Sequence, residues 1–372
     1  MSKAKKANKN RQKKRKPASK LRMFLKTCLI TFGVLTIIFA AGSVAYTLTV
    51  RPPEIPSIER SEEPDTHMNY GFIPGEWHQE DAAISGRRAP EGFTDADRKE
   101  DFFTFLIIGL DDGVNTDTIM VASYDGVNRE ANIISIPRDS LVNVSRRVKK
   151  INAAFPSGTL HGGGMAGGIN QLQREISTII GFMPDFYIVI DMDAFVRIID
   201  AVGGVDVYVP FNMRYFDPTD NLRIDIPRGQ QHLDGNQALH FARFRLGGAD
   251  SRTISDYDRI ENQQAIIHAA LEGLLRPESL LRIPEFIRIF NDNVHSDITA
   301  GNMIWFANEL REIRGTDALS TYTIPTTGTS GLPMFYEFLC EEGILELVNR
   351  TVNPFIRDIE AHDIDIIRDY NF

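Results

Sequence analysis

The chain has 372 residues, 42% of them hydrophobic, and carries 41 Lys or Arg against 50 Asp or Glu, a formal net charge of −9. A chain of this length can bury a full core without disulfides, so its two cysteines, Cys28 and Cys340, say nothing about stability. The eight histidines show no H-E-x-x-H or other zinc spacing, which argues against a zinc hydrolase, and no helix-turn-helix signature points to DNA.

Charge is divided unevenly along the chain. Twelve Lys or Arg and no acidic residue precede position 27, and residues 27–50 carry no charge at all. An uncharged, mostly apolar run of 24 residues exceeds the roughly 20 that a membrane-spanning helix needs. It is also longer than the apolar core of about 7 to 15 residues of a cleaved signal peptide. The expected topology is therefore a basic cytoplasmic tail over 1–26, a transmembrane helix over 27–50, and everything after Arg51 outside the cell. Beside a membrane helix, the basic tail fits anionic lipid headgroups better than nucleic acid. Setting the tail aside leaves 29 of the 41 basic residues against 50 acidic ones, a net of about −21, so a polyanionic ligand must be held locally by arginines or a metal ion.

Residues 51–101 hold six prolines and many carboxylates with little apolar periodicity, the composition of a stalk. From Phe102 onward strand-like and helix-like patterns alternate. Strands are expected near 103–109, 118–124, 131–136, 186–191 and 205–209. Helices are expected near 166–180, 193–201, 234–243, 258–274 and 300–313. Such alternation implies an α/β domain with helices on both faces of a sheet. Residues 285–330 continue this domain, whereas 331–372 resemble nothing specific. The glycine-rich stretch from His161 to Gly168 has no Lys-Ser or Lys-Thr after it, so it reads as close packing or a mobile loop rather than a phosphate loop.

The first three strands carry the most chemistry. FTFLIIGL runs into Asp111 and Asp112, TIMVASY begins beside Asp117, and ANIISIP runs into Arg138 and Asp139. Carboxylates and an arginine are thus placed beyond strand ends, where open α/β sheets usually bind ligands. On the helix ending near 243, Asp234 is a candidate cap and Arg243 and Arg245 flank Phe244. Arg259 and Gln263 share a face of the next helix, apart from the apolar stripe Ile260, Ile267, Leu271 and Leu274. On these residues alone, two readings stay open. The aspartates suit a divalent metal or a simple turn, and the arginines suit phosphate or a helix end.

The order of these residues resembles the LytR-CpsA-Psr family, whose motifs run roughly G-x-D, S-D-T-x-M, S-I-P-R-D and K-I-N. Here they stand as Gly109-Leu110-Asp111, Thr116 to Met120, Ser135 to Asp139 and Lys150-Ile151-Asn152. Asp200 to Pro210, His232 to Arg245 and Asp256 to Gln264 fit the same pattern. The resemblance covers about 102–330 and implies a three-layer α/β/α sandwich with a pocket for a polyprenyl chain, behind one transmembrane helix. It implies a transferase that moves a glycopolymer, such as teichoic acid or capsular polysaccharide, from undecaprenyl pyrophosphate to peptidoglycan. It further implies Asp111 and Asp117 as ligands of Mg²⁺ or Mn²⁺, Arg138, Arg243, Arg245, Arg259 and Gln263 as pyrophosphate ligands, and Arg138 and Asp139 at the reacting centre, with Asp139 expected to order Arg138. Partners would be the lipid-linked glycopolymer, peptidoglycan and membrane lipid. Gly113, Asn115 and Asn262 stand where many members have arginine, which keeps two other readings in view: a binding or scaffold protein, and a polyprenyl pyrophosphatase.

Overall fold

In a computed structural model of the protein, the described residues are 46–47, 49–58, 88–111, 115–217, 222–245, 247, 252–276, 279–312, 318–330 and 334–368. The chain divides into two units, Met1–Arg51 and Pro52–Phe372. The basic tail and nearly all of the expected span at 27–50 lie outside the described residues, and no helix among those described is long and apolar enough to cross a membrane.

Nine consecutive residues, FFTFLIIGL, are apolar or small with only Thr104 as an exception, and they form the central strand β1 (Phe102–Leu110), covered on both faces. β2 (Thr116–Asp125) pairs antiparallel to β1, and β3 (Glu130–Ser135) antiparallel to β2. After the helix α1 (Gly164–Ile180), β4 (Phe186–Ile190) returns parallel to the other side of β1. Helix α2 (Met192–Val202) then leads away from this sheet into two hairpin-like ribbons. β5 (Val205–Val209) pairs with β8 (Gly229–Leu233), and between them β6 (Met213–Asp217) pairs with β7 (Leu222–Ile226). The fifth expected strand thus joins a ribbon rather than the sheet, and its alternating buried and exposed residues suit a strand with one face in solvent.

Helices α3 (Gly235–Arg243), α4 (Asp256–Leu274) and α5 (Ile283–Asn293) follow. The edge strand β9 (Val294–Ser296) then pairs with β4, ahead of α6 (Ala300–Glu312). The opposite edge is β10 (Leu319–Thr323), parallel to β3, giving the order β10-β3-β2-β1-β4-β9. A last ribbon of β11 (Thr326–Ser330) and β12 (Tyr336–Leu339) precedes α7 (Glu341–Thr351).

The two faces of the sheet bury separate cores. Leu106, Ile108, Val121, Ile134 and Val189 pack with Leu172, Ile176 and Ile179 of α1 and with Ile344, Leu347 and Val348 of α7. Phe103, Phe105, Met120 and Phe186 pack with Ile267 and Leu271 of α4 and Trp305 and Phe306 of α6. Period-two alternation along β1 sends its side chains to both cores, which makes the arrangement layered. A third core joins the ribbons to α2, α3 and α4, through Ile199, Val207, Ile224, Phe241 and Ile266. Helix α4 therefore buries adjacent residues, Ile266 and Ile267, in different cores, and its apolar surface is wider than the expected stripe.

Both described ends of the expected stalk are bound to the body. Ile55 and Ile58 pack against the cores, and Asp95 accepts hydrogen bonds from Ser57 Oγ and Ile58 N at 2.8 Å each. Arg98 donates to the buried Asp185, which also accepts from Thr104 N (3.0 Å) and Thr104 Oγ1 (2.7 Å). Removing Asp185 strands the nearly buried Arg98 guanidinium, so Asp185→Ala is expected to cost about 3–5 kcal/mol in chemical denaturation.

The glycine-rich stretch is a packing device. A Cβ on Gly158 would fall 2.2 Å from the carbonyl oxygen of Gly167, and one on Gly168 would meet Thr159 Oγ1 at 2.6 Å. The short helix Ala154–Gly158 thus lies against the first turns of α1 at a distance only glycine permits.

Candidate active site

Strand β1 delivers Asp111 to the end of the sheet, and the chain comes back through Asn115. Asn115 N and Nδ2 donate to the two carboxylate oxygens of Asp111, at 3.2 and 2.9 Å, and Asp111 N donates to Asn115 O at 3.1 Å. Asn115, the residue found in place of an arginine, therefore braces Asp111. The β1–β2 register shifts between Gly109 and Leu110, and Gly109 admits a close approach: a Cβ there would lie 2.9 Å from Thr118 Cβ. Asp117 follows at the start of β2.

Arg138, just past β3, links Asp117 to helix α4. Its Nη1 donates to Asp117 Oδ1 at 2.8 Å, and its Nε lies 3.4 Å from Asp256 Oδ1. The same Asp256 oxygen is 2.8 Å from Arg259 Nη2, so one carboxylate sits between two guanidiniums. Asp256 is a site residue that sequence reasoning missed. It heads the Asp256–Gln264 stretch, but its place in the first turn of α4, three residues before Arg259, is one where acidic residues are commonly explained by the helix dipole.

Asp139 does not order Arg138, contrary to expectation. Its carboxylate accepts from Lys150 Nζ at 2.8 Å, and Arg138 is held by Asp117 and Asp256 instead. Burial works against the charge on Arg138, but Asp256 and Asp117 outweigh it and raise its pKa. At Arg259 burial is the largest influence and, with Arg138 and Arg245 nearby, lowers the pKa. Nε of both arginines and Asp256 Oδ1 are buried without a properly aligned hydrogen bond. These two nitrogens and the carboxylate oxygen beside them are thus packed together away from solvent.

Phe244, buried in the third core, separates two exposed arginines. Arg243 Nη1 contacts Met192 Sδ at 2.9 Å and lines a cavity of about 280 Å³. Asp111, Asp117, Arg259 and Gln263 line the same cavity, whose remaining walls are mainly apolar: Ile107, Met120 and Ile133 of the sheet, Phe195 and Ile198 of α2, Leu239 of α3, and Ile266 and Ala270 of α4. Arg138, Asp139 and Arg245 line a separate polar cleft. Asn262 takes no part in either. It is buried and donates from Nδ2 to Phe241 O at 3.3 Å, holding α4 to the end of α3. Gly113 lies outside the described residues.

The described residues contain no group of three or more His, Cys, Asp or Glu able to enclose a metal. Two carboxylates on one cavity nevertheless suit Mg²⁺, which commonly takes one or two protein carboxylates and completes its shell with waters and substrate phosphates.

A layered mixed α/β domain with a mainly apolar cavity lined also by carboxylates and arginines is the class that fold and site define. The LytR_cpsA_psr family model matches residues 76–350, and the chain belongs to that family. It is 28% identical over 213 residues to the polyisoprenyl-teichoic acid–peptidoglycan teichoic acid transferase TagV of Bacillus subtilis, covering 54% of this chain and 51% of TagV. To the corresponding TagU of Oceanobacillus iheyensis it is 32% identical over 206 residues, 54% of this chain and 60% of TagU. The regulatory protein MsrR of Staphylococcus aureus is 25% identical over 60% of this chain and 64% of its own length. These matches span between half and two thirds of the relatives. The crystal structure of B. subtilis TagV superposes with a TM-score of 0.56 at 23% identity, covering 68% of this chain and 96% of TagV, which shows a shared fold. A structure of TagT bound to LIIa-WTA superposes at 0.53 with 18% identity, covering 68% and 89%.

Proposed function

We propose that the protein is a membrane-anchored phosphotransferase that moves an anionic glycopolymer from a polyprenyl pyrophosphate carrier to peptidoglycan. The observation that carries this reading is one cavity with mainly apolar walls whose lining also holds Asp111, Asp117, Arg243, Arg259 and Gln263. An amphiphile with a long hydrocarbon chain and a pyrophosphate head fits that division, because each part meets surroundings of its own polarity. The family membership and the two transferases among the relatives point the same way.

In this reading the polyprenyl chain enters between the sheet and helices α2, α3 and α4. Arg243 and Arg259 reach the pyrophosphate from inside the cavity, and Arg138 and Arg245 from the adjoining cleft. Gln263 orients a phosphate oxygen. Asp111 and Asp117 would hold Mg²⁺ or Mn²⁺, which supplies charge neutralisation at the phosphates. An acceptor hydroxyl attacks the phosphorus nearer the polymer, the bond from that phosphorus to the bridging oxygen breaks, polyprenyl phosphate leaves with the electron pair, and the proton of the hydroxyl passes to the departing phosphate or to water. Positioning and positive charge serve such a transfer without a covalent enzyme intermediate. The uncharged run at 27–50 would anchor the domain beside the lipid on the outer membrane face.

The test incubates the full-length protein in detergent with a short polyprenyl-pyrophosphoryl glycan, peptidoglycan oligomers and Mg²⁺, followed by mass spectrometry. A phosphodiester-linked product with released polyprenyl phosphate is expected. Glycan phosphate without attachment would replace this reading with a pyrophosphatase, and bound but intact lipid with a binding protein. In the same assay Asp117→Asn is expected to raise the Mg²⁺ concentration for half-maximal transfer by about tenfold or more.

A further inference from the structure

The polar cleft that holds Arg138, Asp139 and Arg245 has a volume of about 520 Å³ and is also lined by Lys150, Asn152, Tyr257, Phe335 and Glu337. It adjoins the apolar cavity through one chain of contacts: Asp117 lines the cavity, Asp256 lines the cleft, and Arg138 bridges them. Nothing in the donor reading uses its outer part.

Glu337 is the unusual residue there. It lies on β12, is only 4% exposed, and no cation among the described residues pairs with it. Its one side-chain partner among the described residues is Tyr257, whose Oη donates to Glu337 Oε2 at 3.3 Å and is 2.7 Å from Thr326 Oγ1. A relay follows in which Thr326 donates to Tyr257 and Tyr257 to Glu337, which leaves carboxylate lone pairs for a further donor. The backbone fixes this group relative to the reacting centre, because Glu337 N donates to Asp139 O at 3.0 Å and Leu141 N donates to Glu337 O at 2.9 Å. Burial pushes the Glu337 carboxyl above its usual range, against the Tyr257 hydrogen bond and with the help of Asp139 and Asp256. A carboxylate of raised basicity accepts a stronger hydrogen bond from a hydroxyl. Tyr257 and Phe335 present 36% and 43% of their surface to solvent. Exposed aromatic surface beside carboxylate, amide and hydroxyl groups matches the alternating C–H faces and hydroxyl edges of a sugar.

We propose that this cleft is the acceptor subsite, where a saccharide chain lies against Tyr257 and Phe335 and its attacking hydroxyl donates to Glu337. The inference rests on the transferase reading. It places the hydroxyl one arginine away from the pyrophosphate, since Arg138 and Arg245 line the same cleft.

The experiment varies the concentration of a peptidoglycan oligosaccharide at saturating lipid donor, using the full-length protein and the variants Tyr257→Phe and Glu337→Gln. Each variant is expected to raise the acceptor KM about tenfold, the scale of one lost hydrogen bond to a charged group. Donor affinity, measured separately by titration with the polyprenyl-pyrophosphoryl glycan, should stay within about twofold. An unchanged acceptor KM in the well-folded Tyr257→Phe protein overturns the proposal, as does an equal loss of donor affinity. If the wild type gives no transfer product, the transferase reading fails by itself, and direct titration with the oligosaccharide decides the cleft. Binding weakened by Tyr257→Phe supports a saccharide subsite, and no binding to the wild type overturns it.

Discussion

Arg138→Ala is expected to lower transfer about 100- to 1000-fold, the loss typical for removing one preorganised charge-stabilising donor, with the fold intact. The fold survives because the partners left behind are not isolated. Asp256 keeps Arg259 at 2.8 Å, and the Asp117 side chain is 31% exposed and can be hydrated. Function does not survive, because no other described side chain joins Asp117 at the apolar cavity to Asp256 at the polar cleft. Arg138→Lys should recover little. A single ammonium is a point charge, whereas the guanidinium meets Asp117 through Nη1 and Asp256 through Nε at the same time. Circular dichroism and the denaturation midpoint report the fold, and single-turnover transfer reports the chemistry. Turnover within about tenfold of wild type in a folded Arg138→Ala protein would remove this residue from the reacting centre.

The parts of the fold that were legible in the sequence are those where one physical signal dominates. FTFLIIGL is apolar on both faces because β1 is central, and the helix α3 is announced by its capping aspartate, Asp234, which accepts from Gln237 N. Two of the strands that escaped notice have no such signal. β8 reads GQQHL and β10 reads LSTYT, polar sequences on a ribbon and at a sheet edge, where one face or one side needs no apolar cover. The candidate site was legible where charges sit at the ends of strands or repeat on one helix face. Asp256 and Glu337 were not, because each gains its meaning only from what the fold brings beside it: two arginines for Asp256, and a tyrosine 80 positions earlier in the chain for Glu337. Asn115 and Asn262 illustrate the same limit. In sequence they are one kind of change, an asparagine for an arginine, yet one braces Asp111 at the cavity and the other ties two helices together away from it.

The C-terminal residues, which carried no recognisable signal, are expected to be indispensable for folding. Ile344, Leu347, Val348, Val352 and Phe355 all join the core beneath one face of the sheet, alongside Leu106 and Ile108 of the central strand. Phe355 is fully buried, with its ring edge-on to Phe93 at 5.0 Å and to Phe182 at 6.2 Å, and the Arg98 guanidinium lies 5.7 Å from its centroid. It therefore ties the end of the chain to the segment before β1 and to the turn after α1. Phe355→Ala is expected to cost about 3–5 kcal/mol, because it removes the transfer energy of a buried ring and leaves a cavity that these neighbours cannot close. Ending the chain at residue 330, the boundary suggested by motifs alone, removes β12 and α7 together and exposes the apolar face of α1. That protein should fail to fold cooperatively, which is read as the loss of a sigmoidal urea transition and as dye binding to exposed apolar surface. A truncated chain with the wild-type midpoint would show that α1 and the sheet close their core unaided, and the stability assigned to Phe355 would then have to come from somewhere else.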